Sequence, residues 1–253
     1  MLSVHGVSKT FGGLRAVVGA QFSVQAGSIT ALIGPNGAGK TSMFDLISGL
    51  TQPDQGEIYL QGRRIDGLQP HTITQLGLAR TFQLTRVFAG LTVLDNMLLA
   101  NPRHPGEHLV GLLLRARAGR DSERVARTKA LDLLRVFGLE GKAGDYAGNL
   151  SGGQRKLLEA ARILMTEPRI VLLDEPMAGV NPTLGHRLLD HIETLRREQG
   201  MTFLFVEHDM DVVMRRAERV IVMAQGAVIS DGTPEAVRSD PRVIEAYLGG
   251  TTV

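Results

Sequence analysis

The run Gly34-Pro35-Asn36-Gly37-Ala38-Gly39-Lys40-Thr41 meets every required position of the phosphate-loop pattern G-x-x-x-x-G-K-[ST]. Its surroundings constrain the fold further. Ile29-Thr30-Ala31-Leu32-Ile33 before it reads as a buried strand, and Ser42-Met43-Phe44-Asp45-Leu46-Ile47 after it as the start of a helix. Glycines permit a tight turn in which successive N–H groups point inward at phosphate oxygens, and the helix N-terminus adds partial positive charge. In that frame Gly34 to Ser42 bind the phosphates of a nucleotide. Lys40 reaches the β- and γ-phosphates, and the Thr41 hydroxyl ligates Mg²⁺. A glycine-rich turn without a ligand is the plainer alternative, and the flanking strand and helix weigh against it.

Composition sets outer bounds. A chain of 253 residues holds one large α/β domain or two small ones. An apolar fraction of 43% with 21% charged residues is that of an ordinary globular protein, which excludes disorder. The 28 Lys and Arg exceed the 26 Asp and Glu by only two, so charge gives no argument for nucleic acid. The absence of cysteine excludes a disulfide scaffold, a thiolate metal site and a cysteine nucleophile. No apolar run reaches the roughly 18 residues of a membrane span. Met1-Leu2-Ser3-Val4-His5-Gly6-Val7 lacks the features of a signal peptide, so a soluble protein is expected.

Three zones separate by pattern. Residues 1 to about 80 are strand-rich, with one helix after the phosphate loop. Residues from about 92 to 165 are mostly helical. Within them Val125, Leu131, Leu134 and Val136 are expected to form the buried side of a helix, with Arg124, Arg127, Lys129, Asp132 and Arg135 on a solvated face. From 168 to 231 strands and helices alternate: Ile170-Val171-Leu172-Leu173, then Leu184 to Arg197, then Thr202-Phe203-Leu204-Phe205-Val206. That alternation marks a parallel sheet covered by helices. Val220 to Met223 and Ala227 to Ile229 flank Gln225-Gly226 as a closing hairpin, and Pro234 and Pro241 each begin a short helix.

Two further segments carry chemistry. Ile170 to Leu173 ends in Asp174-Glu175, and the C-terminal ends of parallel strands face the ligand crevice. Asp174 there is placed to hold Mg²⁺ through water, opposite Thr41. Glu175 points differently and is placed to orient or deprotonate a water attacking the γ-phosphate. Asn149-Leu150-Ser151-Gly152-Gly153-Gln154 opens a helix running to Met165, with Ser151 as its N-cap. A capped helix after a flexible turn is the plainer reading; two glycines, a serine and a helix N-terminus also make an anion site.

With that segment the chain resembles the ATPase subunits of ATP-binding-cassette transporters, whose signature is Leu150-Ser151-Gly152-Gly153-Gln154. The resemblance spans essentially the whole chain. It implies an α/β P-loop NTPase core with a mostly parallel sheet, an antiparallel β subdomain and an inserted helical subdomain. The core is expected over about 1–91 and 166–231, the helical part over about 92–165, and short C-terminal helices over about 232–253. It also implies a head-to-tail dimer, in which Ser151, Gly152, Gly153 and Gln154 of one subunit close over the γ-phosphate held by the other. Phe11 matches the aromatic that stacks on adenine, Gln83 the glutamine that contacts Mg²⁺ and water, and His208 the histidine that senses the γ-phosphate. One position departs from the family: Asn181 stands where most members carry aspartate.

The stretches Ala178 to Pro182, Leu78 to Gln83, Val206 to Met210 and the tail from Gly232 look like the ATPases of branched-chain amino-acid importers. Cassettes for urea or short-chain amides share much of this pattern. The resemblance implies ATP and Mg²⁺ as cofactors, transmembrane permease subunits and a second cassette as partners, and an external solute-binding protein acting indirectly. It implies no nucleic acid, and a peripheral place on the cytoplasmic face of the plasma membrane. Gln83, Arg86, Val87 and Phe88 are the expected permease contact, although Val87 and Phe88 also suit a core. Relatives acting on DNA or ribosomes usually carry two cassettes, a long coiled-coil insertion or a basic arm. A nucleotide sensor that does not turn ATP over would not need Glu175 and His208.

Overall fold

The computed structural model describes residues 1–81, 87–101 and 116–248, with the backbone alone for 116–122 and 248. The chain forms two compact units: residues 1–83, 168–177 and 192–253 make one, and 84–167 with 178–191 the other.

The first unit holds two sheets. β1 (Leu2–Phe11), β2 (Leu14–Val24), β4 (Gln55–Leu60) and β5 (Arg63–Arg64) form an antiparallel sheet in the order β2-β1-β4-β5. The second sheet contains β3 (Ile29–Ile33), β6 (Leu78–Arg80), β7 (Ile170–Asp174), β8 (Thr202–Val206), β9 (Arg219–Ala224) and β10 (Ala227–Gly232). Its order is β10-β9-β3-β8-β7-β6, parallel throughout except where β10 returns antiparallel beside β9. Every residue of β3, β7 and β8 is buried, which explains their unbroken apolar runs.

One core joins these layers. Val4, Val17 and Phe22 of the antiparallel sheet pack with Met43, Phe44 and Ile47 of α1 (Lys40–Ile47) and with Leu32, Leu172 and Leu204 of the parallel sheet. Phe44 is wholly buried, worth on the order of 1.5–3 kcal/mol. The helix that follows the phosphate loop is thus gripped from both sides. The hairpin at Gln225-Gly226 has φ of 48° and 83°, the pair of left-handed residues that matches strand twist. Its Gly226 N–H donates to Ala38 O, and its carbonyl accepts from Val18 N–H, so the turn braces the loop against β2.

A short helix, α2 (Pro70–Gln75), lies in the zone expected to hold only α1. Six residues are too few for a helical period to show, and only the proline at its first position marks it.

In the second unit α3 (Val93–Leu99), α4 (Ala116–Val136) and α5 (Gly152–Met165) pack on one another. The buried stripe of α4 differs from the expected one. Ala126, Ala130, Leu134 and Phe137 are buried, whereas Val125 and Val136 are exposed and Leu131 is half-buried. Of the four expected residues, Leu134 is the one fully buried. The helix instead buries the side with two alanines, which faces the helices packed against it. Helix α6 (Pro182–Gln199) belongs to this unit up to His191 and to the sheet unit from Ile192. α7 (Met210–Arg216), α8 (Pro234–Arg238) and α9 (Pro241–Leu248) complete the sheet unit.

Candidate active site

β3, β8 and β7 are neighbours in the sheet, so their C-terminal ends bring three sequence segments to one edge. β3 delivers the loop Gly34 to Thr41, β7 delivers Asp174 and Glu175, and β8 delivers Glu207 and His208. Gly34 has φ 150°, and a Cβ there would lie 2.0 Å from Met223 O. Gly39 has φ 97°, and a Cβ there would lie 2.3 Å from Ala16 O. Backbone therefore approaches the loop where only glycine fits. Ala38 is buried, while Asn36, Gly37 and Thr41 are exposed and Pro35 and Ser42 half-buried.

Lys40 is buried, and its Nζ donates to Gly34 O at 2.7 Å and Pro35 O at 2.9 Å. Two of the ammonium's three donors therefore fasten it across its own loop. Burial lowers its pKa, opposed by the charges of Glu175 and Asp174 nearby. Those two carboxylates and the ammonium thus share one electrostatic site. Asp174 is buried, and burial raises its pKa against the opposing pull of Arg80.

Glu175 has φ 47°, a left-handed conformation uncommon outside glycine, and its N–H donates to Val206 O at 3.0 Å. Its Oε1 lies 2.7 Å from His208 Nε2. The expected base and the expected sensor are therefore hydrogen-bonded partners. Such strain at a non-glycine residue persists where surrounding contacts hold it.

Phe11, at the end of β1, is 43% exposed with Lys9 Nζ 5.5 Å from its ring centre. It pairs with Leu14 across the β1–β2 hairpin, two residues before the Ala16 carbonyl that abuts Gly39. Its ring is presented at the surface rather than packed in the core. Gln83 and Arg86 lie outside the described residues. Among the described residues no three His, Asp or Glu side chains group to hold a metal. Thr41 and Asp174 supply hard oxygens, which suit a Mg²⁺ that keeps water and phosphate as its other ligands.

In the helical unit, Ser151 caps α5 in a reciprocal box. Its Oγ accepts from Gln154 N–H at 3.2 Å, and Gln154 Oε1 accepts from Ser151 N–H at 3.0 Å. Such a cap contributes about 1 kcal/mol. It engages the serine oxygen as acceptor and leaves the hydroxyl proton as a donor. Neither Gly152 nor Gly153 has positive φ, and a Cβ on either would meet nothing closer than 3.6 Å. Packing within the chain does not call for these glycines.

The sequence profile of the family described as ABC transporter matches residues 17–178. The chain belongs to the ABC transporter ATPase family. A second profile, for the branched-chain amino acid ATP-binding cassette transporter, matches residues 227–252 of the cassette. Over 249 residues it is 44% identical to the high-affinity branched-chain amino acid transport ATP-binding protein BraF of Pseudomonas aeruginosa, with 98% of each chain covered. It is 40% identical to LivG of Escherichia coli K12, also with 98% of each covered. Its structure resembles a nucleotide-free ATP-binding cassette from an ABC transporter, with TM-score 0.83, 35% identity and 98% of each chain covered. A dimeric bacterial ABC transporter cassette matches with TM-score 0.78 and 28% identity over 92% of this chain and 99% of that one.

Two residues of the cassette's site escaped the sequence reading. Arg80 of β6 pairs with Asp174 Oδ2 at 3.1 Å and with Asp45 Oδ1 of α1 at 2.6 Å. A lone arginine beside Leu78-Ala79, in a strand of the parallel sheet, was the available signal. Glu207, buried and with its pKa raised by burial, accepts from Met177 N–H at 2.8 Å and His208 N–H at 3.3 Å. It fastens the turn after Glu175 to the start of the His208 loop. Asn181 Oδ1 accepts from Thr183 N–H at 3.0 Å and so caps the start of α6, a task aspartate would serve equally.

Proposed function

We propose that this cassette hydrolyses ATP as a subunit of an importer for branched-chain or other hydrophobic amino acids. It works as one of a pair, on the cytoplasmic face of the membrane, against separate permease chains. Among the described residues no helix is long and apolar enough to cross a membrane, which accords with separate permeases. The observation that carries the hydrolytic reading is the 2.7 Å contact between Glu175 and His208 at the edge that also presents Lys40 and Asp174.

In this reading Lys40 and the loop amides stabilise charge on the β- and γ-phosphates as the bond to ADP breaks. Thr41 and Asp174 would hold Mg²⁺, which would supply positive charge to offset that of the phosphates. Gln83, outside the described residues, keeps the role that the resemblance implies, contact with Mg²⁺ and water. Glu175 orients the attacking water and takes its proton, while His208 holds the carboxylate in place and contacts the γ-phosphate. Phe11 stacks on adenine. Gly152 and Gly153, which intrachain packing does not require, suit close approach of a partner's γ-phosphate, with the Ser151 hydroxyl as donor. Glycine inside a helix costs up to about 1 kcal/mol relative to alanine, a cost such a contact offsets. Solute choice then belongs to the permeases and an external solute-binding protein.

Purified protein is expected to release phosphate from MgATP and to lose that activity on chelation. With permease chains in vesicles, the amino-acid-loaded binding protein should stimulate it several-fold. Stimulation by DNA or ribosomes, with none by permeases, would overturn the transport reading. Stimulation by urea or a short-chain amide instead would overturn the cargo alone.

The permease contact has its own test. Phe88 is 52% exposed, with Arg162 5.2 Å from its ring centre. Its N–H donates to Asn96 Oδ1, and its carbonyl accepts from Asn96 Nδ2. The buried Asn96 thus holds the backbone while the ring stands at the surface. An exposed aromatic beside arginine is the composition of a binding hot spot. Phe88→Ala should leave basal ATPase within about twofold and reduce permease pull-down and uptake by roughly tenfold or more. Unchanged association would remove this segment from the interface.

A further inference from the structure

We propose that Arg80 is a positioning residue that sets the spacing between the two metal-side oxygen donors, Thr41 and Asp174. The inference rests on the ATPase reading above. Arg80 is buried to 6% side-chain exposure, and its guanidinium forks between two elements. Nη2 donates to Asp174 Oδ2 at 3.1 Å, while Nη1 donates to Asp45 Oδ1 at 2.6 Å and Ser48 Oγ at 3.1 Å. The fork lies 5.5 Å over the buried Phe44 ring, which limits its freedom to move.

Asp45 lies four residues after Thr41 on α1, so the two share a helix face. Holding Asp45 therefore holds the turn that carries Thr41. Holding Asp174 Oδ2 leaves Oδ1 as the oxygen offered to a metal-bound water. Mg²⁺ demands near-octahedral geometry at about 2.0–2.1 Å, so small errors in donor spacing weaken it. A lysine would keep the charge at this position and lose the fork.

The test measures metal separately from nucleotide. Mn²⁺ binding in the presence of ADP is titrated by electron paramagnetic resonance, and a fluorescent ADP is titrated in chelator. Arg80→Lys should weaken Mn²⁺ fivefold or more while metal-free nucleotide affinity stays within twofold. Asp45→Asn, which leaves the Asp174 contact intact, should weaken Mn²⁺ in the same direction by less and keeps the proposal testable if Arg80→Lys does not fold. Unchanged Mn²⁺ affinity in the folded variants, or equal loss of nucleotide with and without metal, would overturn it. Failure of the wild-type protein to bind Mn²⁺ with ADP would overturn the ATPase reading instead.

Discussion

Lys40→Ala is expected to reduce ATP turnover by roughly 10²- to 10³-fold or more, the scale seen when one preorganised charge-stabilising donor is removed. The ammonium is the loop's own full positive charge, and it is held in place by Gly34 O and Pro35 O. Nucleotide binding should weaken as well, because the same charge meets the phosphates before reaction. Loss of folding is not the expected cause. Burial lowers the Lys40 pKa in the folded protein, so the charged form is less favourable folded than unfolded. Below that lowered pKa the charge itself therefore adds nothing to stability, and alanine gives up only the two hydrogen bonds to Gly34 O and Pro35 O. Phosphate release should collapse with a fall in melting temperature of no more than about 2–4 °C. Near-normal turnover in the purified variant would sink the role assigned to Lys40.

Glu175→Gln should bind MgATP and stall as a closed dimer. Glutamine keeps a hydrogen-bonding partner for His208 at the 2.7 Å contact, so the local geometry survives. It cannot take a proton from water, and loss of a general base costs roughly 10²- to 10⁴-fold. Removing one negative charge also lowers repulsion against the triphosphate. Size-exclusion chromatography with ATP is the measurement: the variant should elute as a dimer at concentrations where the wild type, which hydrolyses and reopens, is largely monomeric. A variant that stays monomeric at high protein concentration would contradict a site completed by Ser151 to Gln154 of a partner. Normal hydrolysis would contradict Glu175 as the base.

The local rules visible in the sequence produced most of the elements at this site. A buried strand, a glycine loop and a helix N-terminus are contiguous, so their geometry follows from neighbours in the chain. The same holds for Asp174-Glu175 at a strand end and for Ser151 as an N-cap. Gln225-Gly226 is likewise local, since two adjacent left-handed residues suffice for the turn. The buried side of α4 differs from the expected one because it is set by packing against α3 and α5, which periodicity alone does not reveal.

Phosphate chemistry was therefore determined by the sequence itself: the loop, the paired carboxylates and the capped signature are each complete within a few residues. Which side chains touch was decided only by the tertiary structure. Glu175 and His208 meet because β7 and β8 are hydrogen-bonded neighbours. Arg80 reaches Asp45 and Asp174 because β6 pairs with β7 and because α1 packs in the same core as the sheet. Glu207 was invisible for the same reason, since its two amide partners include Met177, thirty residues earlier. Pairings of this kind depend on strand order and helix packing, and these are set by the sum of many buried contacts rather than by any short run of residues.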